Sequence, residues 1–135
     1  MADFGKPDYG ITRTLDGVTY SDAIPAVTEA LKKQGFGVLT EIDVKATLKK
    51  KIDVDFQPYI ILGACSPTHA HMALTGEPGV GLLMPCNVVV TQDDAGNAVV
   101  SAVEPKALFG LLDSPDIGPV AQEVHDKLKA AVDSL

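Results

Sequence analysis

At 135 residues, with 46% hydrophobic and 21% charged side chains, the chain has the size and balance of one globular domain, which excludes disorder and fibrous repeats. Eleven basic against eighteen acidic residues leave a net charge of −7, which repels phosphate backbones and argues against nucleic acid as a partner. Residues 1–10 are too polar for a secretory leader, and the longest apolar stretch, residues 80–90, is broken by Pro85 and Asn87, far short of the roughly 20 residues a membrane span needs.

A cytoplasmic protein with no membrane partner is therefore expected, its two cysteines kept as thiols, because a domain of this size needs no disulfide staple. Tyr9, Ile11, Arg13 and Leu15 alternate with smaller or polar residues as far as Asp16-Gly17, the pattern of a strand running into a turn. Ser21 is the expected cap of a first helix whose Ala23, Val27, Ala30 and Leu31 recur at helical spacing, and Gly35 is placed for a left-handed C-terminal cap. Residues 36–42 read as a second strand. Asp43 then caps a short helix carrying Val44, Leu48 and Ile52.

Residues 59–64 form a short apolar run after Pro58, the mark of a buried strand. Ser66-Pro67 marks a helix start, since serine caps free amides and proline fits the first turn; that helix should end at Gly76. Residues 80–91 and 98–103 flank Asp93-Asp94-Ala95-Gly96-Asn97 and predict a long antiparallel hairpin. A short helical piece with Leu108, Leu111 and Leu112 follows Pro105, and a last helix places Val120, Val124, Leu128 and Val132 on one face. The order predicts one α+β domain over residues 1–135, an antiparallel sheet with helices on one face.

Chemistry concentrates in residues 65–87. Cys65 precedes the helix opened by Ser66, where amide dipoles favour a thiolate; the plainer alternative is a small apolar residue closing a strand. Cys86 follows Pro85 in a strand-like run, either at an edge or bulge that re-aims a side chain or simply in the core. Cys65, His69, His71 and Cys86 match no standard zinc signature. On a helix His69 and His71 point about 200° apart, so at most one of them would join the two cysteines around an ion. Glu77 and Asn87 either orient a ligand or satisfy the backbone at a turn.

Gly37-Val38-Leu39, Glu41-Ile42-Asp43-Val44, Thr47-Leu48, Pro58-Tyr59, Ile61-Leu62-Gly63-Ala64-Cys65, Glu77-Pro78 and Leu82-Leu83-Met84-Pro85-Cys86-Asn87-Val88-Val89-Val90 closely resemble the domain of unknown function 302 (DUF302) family, over about residues 18–128. The resemblance implies a small bacterial or archaeal α+β domain with a curved antiparallel sheet similar to that of the TATA-box-binding protein, helices packed mainly on one face, and pairing as a homodimer. It implies no established activity. Ser66 stands where the family commonly has Asn, and His69 where an apolar residue is usual, which weakens a metal site built on His69.

Three functions are open. A small-ligand- or metal-binding module using Cys65, His71, Glu77, Cys86 and Asn87 leads, because the sequence lacks a complete acid, base and nucleophile set. A metal would draw on Cys65, His69 and Cys86. A thiol-based redox enzyme would use Cys65 and Cys86, and a structural or interaction domain would need neither. The two cysteines are expected to face a common cleft, with Cys65 the more reactive. No cofactor is assigned by these residues.

Overall fold

The computed structural model describes residues 2–112 and 114–135. Five strands, β1 (Gly10–Leu15), β2 (Gly37–Asp43), β3 (Tyr59–Cys65), β4 (Cys86–Gln92) and β5 (Ala98–Val103), form one antiparallel sheet in the order β1-β5-β4-β3-β2. Among the described residues five α-helices accompany them: α1 (Tyr20–Lys33), α2 (Val44–Ile52), α3 (Pro67–Gly76), α4 (Pro105–Phe109) and α5 (Ile117–Asp133). This is the α+β architecture the pattern of elements predicts.

Alternation along the strands decides which face is covered. Leu62 lies opposite Val88, and Val90 lies opposite Val100, so these side chains form an inward row. Against that row pack Val27 and Leu31 of α1 and Val124, Leu128 and Val132 of α5, all buried in one cluster. Both helices carry apolar residues three and four apart, the spacing that lays one stripe on a sheet. Among the described residues no helix is long and apolar enough to cross a membrane.

The C-terminus of α1 closes as the sequence predicts. Gly35 adopts φ +85°, the Phe36 amide donates to the Leu31 carbonyl at 2.9 Å, and the Gly35 amide donates to Lys32 at 3.0 Å. This is the paired-bond cap that a left-handed glycine permits. Asp43 caps α2 as expected, its carboxylate accepting from the Ala46 amide at 2.9 Å.

Three expectations need correction. Thr19, not Ser21, caps α1: its hydroxyl accepts from the Asp22 amide at 3.1 Å, because the helix begins two residues earlier, at Tyr20, whose ring packs against the core. Residues 80–85 are not strand. Pro78–Leu83 winds into a 3-10 turn, and Pro85, with no N–H to give a ladder, delays β4 until Cys86; from there the predicted antiparallel pairing with β5 holds, from Val88 opposite Ala102 to Gln92 opposite Ala98. The helix after Pro105 stops at Phe109, so Leu111 and Leu112 lie beyond it, Leu111 exposed and Leu112 against the core.

Candidate functional site

The chain turns over the end of the sheet where β3 passes into α3. Ala64 pairs with Cys86, which places Cys65 one step further along, at the last residue of its strand. Both thiols are free and partly exposed, and both line a small cavity between the sheet end, α3, α4 and α5. Its walls are apolar, with Phe36, Ala73 and Phe109 among them, and Ser66 and His69 supply polar groups. About 30 Å³ of this space is open to the centre of a water molecule, so the cavity takes a small group of a few heavy atoms.

Burial pushes the Cys86 thiol up to about 11, with Cys65 adding to the cost of a charge there. Cys86 is therefore a neutral thiol at ordinary pH, part of the wall and a poor nucleophile.

Ser66 departs from its predicted task. Its hydroxyl makes no cap bond to the backbone of α3; it meets Nδ1 of His69 at 2.7 Å. The other ring nitrogen, Nε2, lies 2.8 Å from a carboxylate oxygen of Glu123 on α5. The His69 side chain is 13% exposed, whereas that of Glu123 is 61% exposed, so the chain of bonds runs from the cavity outward to solvent. Ser66 and His69 were legible as a pair in principle, since serine at a cap position with a hydrogen-bonding side chain three residues on is the spacing of a capping box. Glu123 is 54 residues away in sequence and gave no signal.

The remaining candidates lie elsewhere. His71 is exposed, two residues round α3 from His69, as helical geometry requires. Glu77 stands at the C-terminal cap of α3, its amide bonded to the Ala73 carbonyl at 2.8 Å and its carbonyl accepting from Val80 at 3.0 Å. Asn87 alternates with Cys86 onto the opposite sheet face, where it borders a shallow groove with Phe4, Tyr9 and Tyr59. None of the three borders the cysteine cavity. Among the described residues no three His, Cys, Asp or Glu side chains gather closely enough to hold a metal ion. A wider cleft of about 500 Å³ opens where the N-terminal segment meets the same opposite face, with Phe4, Phe56, Gln57, Tyr59 and Asp93 along it, and contains neither cysteine.

An antiparallel α+β domain with two thiols at one end of its sheet is the class these features define. The chain belongs to the DUF302 family: the profile described as "Domain of unknown function DUF302" matches residues 11–135, taking in all but the first residue of β1 and all of α5. It is similar to the crystal structure of an uncharacterized conserved protein DUF302 from Bacillus stearothermophilus, at 30% identity and a TM-score of 0.86, over 94% of this chain and 98% of that one. Among curated proteins none matches.

Proposed function

We propose that the protein binds a small ligand in the cavity at the end of β3 and β4, with the ligand's apolar part against Ala64, Ala73 and Cys86 and its polar part toward Ser66 and His69. The observation that carries this is the composition of the cavity: an apolar wall with a few convergent polar groups at one side, the usual make-up of a small-molecule site. The small size of the space favours a ligand with a short apolar group such as a methyl or an acetyl. Binding is favoured over a two-thiol redox cycle because Cys86, pushed up to about 11, supplies little thiolate.

Neutral amides provide the test, since acetamide and N-methylacetamide pair a methyl group with a polar carbonyl. Amide-proton NMR shifts at Ala64, Ala70, Ala73 and Cys86 that saturate with acetamide, and weaken for hexanamide, support the site. Shifts confined to the cleft beside Phe56 and Tyr59, or none, would overturn it.

The cytoplasm suits a protein with two free thiols. We further infer that the chain pairs as a homodimer through the free edge of β2. Leu39 and Ile42 on that edge strand are 68% and 49% exposed, and among the described residues β2 ends the sheet with no strand on its outer side. Such an edge invites a second strand, and two-fold pairing of identical edges closes it. Light scattering at micromolar concentration should return twice the chain mass, falling to one chain mass for Leu39→Lys with Ile42→Lys. A single-chain mass for the unaltered protein would refute the pairing.

A further inference from the structure

We infer that Ser66, His69 and Glu123 form an acyl-transfer relay that hydrolyses esters of short carboxylic acids. The inference rests on the proposed ligand cavity and adds a reaction to it.

The argument begins with the tautomer of His69. An ionised carboxylate only accepts hydrogen bonds, so the 2.8 Å contact with Glu123 places the ring proton on Nε2. In the neutral imidazole Nδ1 then carries the lone pair, and the Ser66 hydroxyl, 2.7 Å away, donates to it. That is the arrangement of an activated serine: nucleophile to base, base to an orienting acid. Glu123 is a positioning residue, acting through His69.

Two further features place the relay where a carbonyl could react. Ser66 borders the apolar cavity, so an acyl group seated there would bring its carbonyl carbon toward Oγ. The first turn of α3 also leaves amides free. Pro67 has none, the helix's own bonding begins with Ala70 donating to Ser66 at 2.9 Å, and no side chain caps this end. The Thr68 and His69 amides are thus available, among the described residues, to a developing oxyanion. A serine spent on capping would fill that position; here its hydroxyl is turned to the imidazole instead.

The reaction balances with water as the only co-reactant. Ser66 Oγ bonds to the ester carbonyl carbon as its proton passes to His69 Nδ1. The tetrahedral adduct collapses, the bond to the alcohol oxygen breaks, and the proton on Nδ1 leaves with the alcohol. Water then attacks the acyl-serine, gives a proton to Nδ1, and the acid departs as that proton returns to Ser66. With only a small apolar space behind the serine, an acetyl group finds its methyl enclosed, whereas a long acyl chain runs out into solvent and gains little from the wall.

The test uses the whole protein with a fluorophosphonate probe and with p-nitrophenyl acetate, butyrate and octanoate. Peptide mapping of the labelled, unaltered protein should find the probe on Ser66. Acetate should be hydrolysed at least about tenfold faster than octanoate. Ser66→Ala should abolish labelling and turnover, and His69→Gln should slow turnover by about a hundredfold or more. Glu123→Gln should lower kcat about tenfold while leaving KM in place, which a loss of packing alone would not do. Labelling at Cys65, labelling nowhere, or unchanged hydrolysis in folded Ser66→Ala would overturn the relay. Mapping on the unaltered protein decides the matter even if a variant fails to fold. If acetamide binds but Ser66 is neither labelled nor needed, the relay fails and the binding site stands; if acetamide does not bind, the cavity itself is wrong.

Discussion

The neutrality of Cys86 carries a pH signature. Below the ordinary thiol value of 9.0 the group is protonated in both the folded and the unfolded chain and contributes no pH dependence. As pH rises from there toward about 11 the unfolded chain ionises first, so stability falls through that window. A shift of this size corresponds to about 2–3 kcal/mol. Chemical denaturation at pH 8 and pH 11 should show that fall, and Cys86→Ala should remove the part due to this thiol, leaving what Tyr20 and Tyr59, whose hydroxyls burial also pushes upward, contribute. In the same window iodoacetamide should modify Cys65 first and Cys86 only near the upper end, as mass spectrometry of each peptide would report. Equal rates at pH 8 would contradict the buried wall. At this scale the sequence was a partial guide. The two cysteines and the opposed directions of His69 and His71 were legible, because a strand end and a helical turn set them locally. The bond from His69 to Glu123 was not, because it depends on how α5 docks against α3.

Local elements show where pattern and packing part company. The first helix was legible from its apolar stripe, but its start was not: Thr19 and Ser21 are both good caps, and the packing of the half-buried Tyr20 against the core selects the earlier one. Thr19→Ala should therefore cost about 1 kcal/mol in a denaturant melt, and Ser21→Ala only a few tenths. Residues 80–85 looked like strand because Val80, Leu82 and Leu83 are apolar, yet prolines at 78 and 85 bracket them and neither can donate to a ladder. In β3, Gly63 was legible only as a family block; the structure gives its physical reason. A Cβ there would collide with the Thr40 hydroxyl on β2 and come within 2.9 Å of Pro85 Cγ. Gly63→Ala should lower stability by about 1–3 kcal/mol. Adding Thr40→Ala should restore part of that loss, whereas independent effects of the two changes would refute the contact.

Taken whole, the molecule is a sheet whose first strand returns last. The α+β class was legible because helical and alternating segments follow one another with clear turn residues between them, and a hairpin from β4 to β5 needs only the Asp93 turn. Its carboxylate accepts from the Ala95 and Asn97 amides at 3.0 and 2.8 Å, which explains that turn locally. The position of β1 was not legible, since nothing near residue 10 specifies a partner near residue 103. Arg13 shows why tertiary contacts decide it. It stands in the inward row opposite Val100, and its guanidinium donates to the carbonyls of Val132 at 3.2 Å and Asp133 at 2.9 Å, joining β1 to the last turn of α5.

The strand order also sets a timetable. Strands β2, β3 and β4 each pair with the next strand in the chain, so their closure costs little loop entropy, while β1 must find β5 across a separation such as that from Leu15 to Ala98. The four-strand meander is therefore the expected nucleus, and β1 docks after the rate-limiting step. In stopped-flow experiments Val90→Ala, in the centre of the meander, should chiefly slow refolding. Leu15→Ala, in the late strand, should leave refolding almost unchanged and speed unfolding. If Leu15→Ala instead slowed refolding as much as Val90→Ala, β1 would belong to the nucleus, and the chain would assemble from its distant ends inward.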